Sequence, residues 1–143
     1  MDIPILAPAA TLVLWSLIML LWVIVTRFPA FEKAGLTLDK AEPGSRYQDV
    51  ESALPAGVNW KSHNYTHLME QPTLFYATVV ILALADQGDG INLTMAWAYV
   101  ALRVCHSLWQ ALVNTILVRI LLFASSSTCL IVMAINAVRA TVF

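Results

Sequence analysis

Charge is what this chain has least of. Only 12% of its 143 residues are Asp, Glu, Lys or Arg, while 59% are hydrophobic and mean hydropathy is +0.73; an ordinary soluble domain carries about a quarter charged residues. So little charge cannot dress a water-facing surface, and the deficit points to the bilayer as solvent. A basic excess is also missing. The net charge is -1, whereas a nucleic-acid binder needs a basic face, so nucleic acid is not expected as a partner. Cysteine is confined to Cys105 and Cys129. Both lie in apolar runs without C-x-x-C spacing, which excludes a local redox motif and makes them small packing residues. No internal repeat or low-complexity segment divides the chain, so residues 1–143 are read as one all-α membrane domain.

Long apolar runs are abundant. Four stretches reach the ~20 residues a helix needs to cross ~30 Å of hydrocarbon: residues 3–25, 60–85, 93–114 and 117–138. They predict an integral membrane four-helix bundle. The last two are separated by no Gly or Pro, only by Asn114 and Arg119. A single helix across both would overrun the bilayer, so a tight turn is expected near Asn114–Arg119. The first stretch has no basic residues before it and no A-x-A site after it. It also exceeds the roughly 7–15 apolar residues of a signal peptide, and it reads as a retained transmembrane helix.

Lys and Arg set the orientation. The long connection from Phe28 to Asn59 and its edges carry Arg27, Lys33, Lys40, Arg46 and Lys61, whereas the turn Asp86-Gln87-Gly88-Asp89-Gly90 has no basic residue. The positive-inside rule places the long loop in the cytoplasm and both termini outside, with Arg139 as a mild exception. Trp22, Phe28 and Trp60 then fall near the inner interface, and Trp97 and Tyr99 near the outer one.

The few polar residues inside the spans fall on stripes. In a continuous second helix, His63, His67 and Glu70 sit at i, i+4 and i+7, on one face. In the third, Arg103, His106 or Ser107, Gln110 and Asn114 form another. Glu70 and Arg103 each lie about 10 residues from a membrane face, or ~15 Å deep at ~1.5 Å per residue. Opposite charges at one depth offset each other's desolvation cost, so the two faces are expected to meet at a shared cavity or subunit interface. Pro72 should free the Leu68 carbonyl and kink the helix just beyond Glu70. The pair could instead serve only to lock the bundle. His63-x-x-x-His67 with Glu70 has the spacing of a metal set, but three histidines are few for such a site and no metal is expected. No Ser–His–acid arrangement is evident, and Ser125-Ser126-Ser127-Thr128 reads as small-residue helix packing.

The run Asn64-x-x-His67-Leu68-x-Glu70-x-Pro72-x-Leu74-Phe75-Tyr76-Ala77 resembles the second-helix signature of the MAPEG family, the membrane-associated proteins of eicosanoid and glutathione metabolism. The segment from Ala96 to Ser107, with Asn114 and Arg119, resembles that family's third helix and the turn after it. The style is closest to the bacterial branch. The resemblance implies a homotrimer of four-helix protomers in the bacterial inner membrane, with glutathione bound between subunits as cosubstrate. It implies a transferase or peroxidase acting on hydrophobic electrophiles or lipid hydroperoxides. Carried over by position, Glu70 meets the tripeptide's amino group, and Asn64, His67, Tyr76 and Tyr99 supply further polar contacts. His67 stands where many members have Asn. Arg103 and Arg119 are the arginines available: one would stabilise the thiolate and the other bind a carboxylate. Two other readings remain open on the same fold. One is a non-catalytic accessory subunit of a larger membrane complex, the other a lipid or quinone binder.

Overall fold

The computed structural model describes residues 3–143, and no strand occurs among them. The apolar runs form long helices: α1 (Leu6–Lys33), the pair α3 (Ala56–Leu68) and α4 (Gln71–Leu84), α5 (Gly90–Leu112) and α6 (Ile116–Val142), with a single-turn α2 (Tyr47–Val50) in the long connection. By length and composition, three helical stretches suffice to cross a membrane: Leu6–Lys33, Ala56–Leu84 and Ile116–Val142. The stretch expected as the third span forms α5, which is not among these three. The reason lies in its inner face, where Asn92, Arg103, His106, Ser107 and Gln110 are all buried. Its polarity points inward, and its mean hydropathy falls accordingly.

Helix ends follow their capping chemistry. Past α1, Gly35 has φ +70°, a left-handed conformation that costs glycine little. The Leu36 N–H then reaches the Phe31 carbonyl at 2.9 Å and the Gly35 N–H the Glu32 carbonyl at 3.1 Å, closing the helix with both bonds of a Schellman motif. Asp86 at φ 56° closes α4 the same way, with Gln87 N–H on the Leu82 carbonyl at 2.9 Å. Between α5 and α6 the chain reverses within residues 113–115. Asn114, at φ 61°, takes the left-handed position that Asn tolerates better than most residues, which is how a turn forms there without Gly or Pro. Its side chain accepts a hydrogen bond from Arg119 Nη1 at 2.9 Å. Asn114→Ala should therefore cost about 1–2 kcal/mol, from the strained φ and the lost bond. Asn114→Gly should cost less than that, and denaturation in mixed micelles distinguishes the two.

The helices pack around α5, which touches α1, α3 and α6, while α4 lies against α6 and α1. One stripe of each faces inward: Leu12, Ser16, Met19 and Val23 from α1 and Ser126, Leu130, Met133 and Ala137 from α6. Leu14, Leu17, Leu21, Ile120, Leu121 and Ile131 face outward. Water would penalise such a surface, but lipid does not. At the far end, Asn92 donates to the Gln87 carbonyl at 2.9 Å and accepts from Asn136 Nδ2 at 2.8 Å, tying the short turn to α6.

The second span departs from expectation. It is two helices, broken at Met69 and Glu70, where Glu70 has φ -87° and ψ -97°. Pro72 sits in the first turn of α4, where its missing N–H leaves no bond unmade. The proline thus starts a new helix rather than kinking a continuous one. The break also turns the following side chains out of the phase that an unbroken 3.6-residue period assigns.

Candidate functional site

Arg103 is the centre of the buried polar cluster. It projects from the middle of α5 and is 0% exposed. Nη2 donates to the His67 carbonyl at 3.1 Å and lies 3.1 Å from His67 Nδ1. A guanidinium only donates, so His67 Nδ1 is the acceptor and the imidazole proton is on Nε2. The carbonyl contact has a local cause: α3 ends at Leu68, and the His67 carbonyl keeps only a long 3.4 Å bond from the Glu70 N–H, which leaves it open to a second donor. Arg103 caps the broken helix. His106 stacks on His67, with ring centroids 4.9 Å apart and 20° between planes. Phe123 of α6 lies edge-on to His67 at 5.4 Å, with the Arg103 guanidinium 5.8 Å from the centre of its ring.

Two guanidinium nitrogens of Arg103, Nε and Nη1, are buried without a hydrogen-bond partner. Among the described residues no carboxylate forms an ion pair with it. The two charges, Glu70 and Arg103, therefore do not pair within one protomer. At the helix break the Glu70 side chain is 62% exposed, with its carboxylate 4.0 Å from His67 Nε2. The predicted stripe of His63, His67 and Glu70 also separates. His63 is exposed and pairs with Glu51 of the long connection, while the buried positions of α3 are Ser62, Asn64 and Leu68. No three His, Cys, Asp or Glu side chains converge among the described residues.

The α5 stripe holds for Arg103, His106, Ser107 and Gln110, all buried; Asn114 lies beyond the helix end, in the turn. Asn64 is buried and donates to Ser107 Oγ at 2.8 Å, and Trp15 Nε1 donates to the same oxygen at 3.1 Å. Asn64 Oδ1 and Gln110 Oε1 are left unpartnered. Tyr99 is fully buried, stacked on Phe75 at 4.4 Å. Its hydroxyl donates to Gln71 Oε1 at 3.3 Å, and Gln71 Nε2 donates to Ser127 Oγ at 2.8 Å. The Tyr76 hydroxyl is buried without a partner. Arg119 is half-buried at the start of α6, held by Asn114, with Nε unpartnered.

Of the expected site residues, His67 and Arg103 are in direct contact, and Asn64 bonds to Ser107 on the same buried face of α5. Sequence reasoning did not single out Gln71, which bridges Tyr99 and Ser127, or Trp15, which shares Ser107 Oγ with Asn64. Their signal was present in polar atoms within apolar helices, since a buried hydroxyl or amide needs a partner on another helix. The chemistry on offer is anion recognition. An unpaired buried cation costs several kcal/mol, and two open N–H donors fit a thiolate or a carboxylate.

No curated protein and no solved structure matches the chain. A family model does match, over residues 5–139, which takes in the broken second span, the Arg103 cluster and the Asn114 turn, and the chain belongs to the MAPEG family.

Proposed function

We propose that this chain is a membrane-bound glutathione-dependent transferase or peroxidase of the bacterial branch of the family, acting on hydrophobic electrophiles or lipid hydroperoxides. Membership of the MAPEG family supports the glutathione chemistry. The observation that carries the assignment is the buried Arg103 with two unpartnered donors. Free glutathione is mostly a thiol at neutral pH, as its sulfur titrates like a cysteine. A guanidinium aimed at the sulfur stabilises the thiolate, which then attacks an electrophile dissolved in the bilayer. Arg103 suits this role better than Arg119: it is fully buried with two nitrogens unpartnered, whereas Arg119 is half-buried with Nη1 on Asn114 and only Nε unpartnered. Arg119 is assigned to a glutathione carboxylate, Glu70 to the amino group, and Asn64, His67, Tyr76 and Tyr99 to the remaining polar contacts.

Glu70 bears on the assembly. An exposed carboxylate in the middle of a membrane span demands cover, and a neighbouring subunit of a homotrimer with glutathione between them supplies it. Met69 and Glu70 are also where the helical ladder is interrupted, which makes the break the natural entry to Arg103. The single four-helix domain is oriented with its termini outside and the 28–59 loop in the cytoplasm. Glutathione titrated into the detergent-solubilised protein should raise its melting temperature. At 100 times Kd the gain is about 2.7 kcal/mol. No shift at attainable concentrations, with lipid retained in the protein, would favour the lipid or quinone binder instead.

A further inference from the structure

A cavity of about 470 Å³ lies between the C-terminal end of α1 and the connection that follows it, away from the Arg103 cluster. Its size falls within the range of small-molecule sites. Arg27, Lys40 and Arg46 line it against one acid, Glu42, and Phe31, Leu36 and Val50 form its apolar wall. We propose that this cavity binds an anionic amphiphile of the cytoplasmic leaflet, with a phosphate-bearing headgroup among the three cations and an acyl chain along the apolar wall.

Arg27 is held in place for this role. Its guanidinium carbon lies 3.9 Å from the centre of the Tyr47 ring, and Nη2 donates to Ser62 Oγ of α3. Nε remains buried without a partner. The guanidinium is thus fixed by stacking and by one hydrogen bond, while one donor stays unused. The Tyr47 hydroxyl donates to Asn59 Oδ1. Burial, its largest influence, pushes the Tyr47 pKa above the usual phenol value, so Tyr47 adds no negative charge to a cavity whose lining is basic. Location completes the argument. Lys61, one turn into α3 and 5.1 Å from the Trp22 ring, marks the same membrane face, where Phe28 is exposed. Basic side chains at that depth meet the anionic surface of the inner leaflet.

The test uses full-length protein in neutral detergent, titrated separately with phosphatidylglycerol, phosphatidylcholine and inorganic phosphate. Native mass spectrometry counts retained lipid, and melting temperature reports binding. Phosphatidylglycerol should bind at least about tenfold more tightly than phosphatidylcholine and raise the melting temperature, as expected for charge-assisted hydrogen bonds to the headgroup. The K40Q/R46Q double variant should lose that preference. Both positions lie on the exposed connection, so the helices remain folded, and glutathione binding at Arg103 should be unchanged. R27Q should lose the preference too, although it also releases Ser62. Equal binding of the two lipids, or a preference that survives K40Q/R46Q, would overturn the proposal. Binding of inorganic phosphate as tight as that of phosphatidylglycerol would identify a soluble phosphate ligand and overturn the amphiphile assignment.

Discussion

Arg103→Leu should abolish glutathione-dependent turnover while leaving the protein as stable as before, or more so. Losing one preorganised donor to a developing anion costs about 10²–10³-fold in rate, and Leu removes the guanidinium altogether. The stability side has the opposite sign. Arg103 is fully buried with two unpartnered nitrogens, and replacing buried charge by apolar volume is often neutral or stabilising by about 1–4 kcal/mol. The loss of the cap on the His67 carbonyl subtracts about 1 kcal/mol from that gain. Inactive but equally stable protein is the signature of a binding cation. A structural lock would instead lose stability together with activity. Turnover with a soluble electrophile and denaturation in mixed micelles, made on one preparation, read both quantities.

The largest expected loss of stability lies one helix away, at Phe75. Its ring is fully buried, stacked on Tyr99 with 17° between planes and tilted against Tyr76 at 5.8 Å. Large-to-small changes of this kind cost about 3–5 kcal/mol in water-soluble cores, from transfer and cavity together. In a membrane the unfolded helices stay in lipid, so the transfer part largely drops out and the packing part remains. Phe75→Ala should therefore fall at the lower end, about 3 kcal/mol. Tyr99 would also lose the surface that aims its hydroxyl at Gln71, and glutathione affinity should weaken with it. Leu74, the neighbour at 63% exposure, is the control: Leu74→Ala should stay within about 0.5 kcal/mol. Comparable losses at the two positions would mean that α4 does not present Phe75 to the core.

The helices were legible because lipid demands long apolar runs, and the two short turns because of Asp86-Gln87-Gly88-Asp89-Gly90 and Asn114; the end of α1 was not, since it runs on to Lys33, past the apolar run that ends at residue 25. The buried face of α5 was legible from period alone, since no Gly or Pro interrupts it. The second span was not, and the reason is local. Periodicity assumes that a helix continues, and here Glu70 and Pro72 end one helix and start another, so everything from Glu70 onward leaves the predicted face. Opposite charge at equal depth suggested that Glu70 and Arg103 would face a shared cavity or a subunit interface. Depth says nothing about azimuth, and the break rotates Glu70 outward. The Gln71–Tyr99 and Asn64–Ser107–Trp15 bonds were beyond a reading of single helices, because each joins residues 28 or more positions apart. The Arg27 cavity was hidden for the same reason, as it forms only when the loop folds back on α1.

In the proposed mechanism Arg103 holds glutathione as a thiolate. Ultraviolet difference absorbance of the thiolate, recorded at neutral pH as glutathione is added to the solubilised protein, tests it most directly. A saturable thiolate signal in the native protein, lost in Arg103→Leu and retained in Arg119→Leu with weaker affinity, is the predicted result. A thiolate signal that persists undiminished in Arg103→Leu would show that another group stabilises the thiolate.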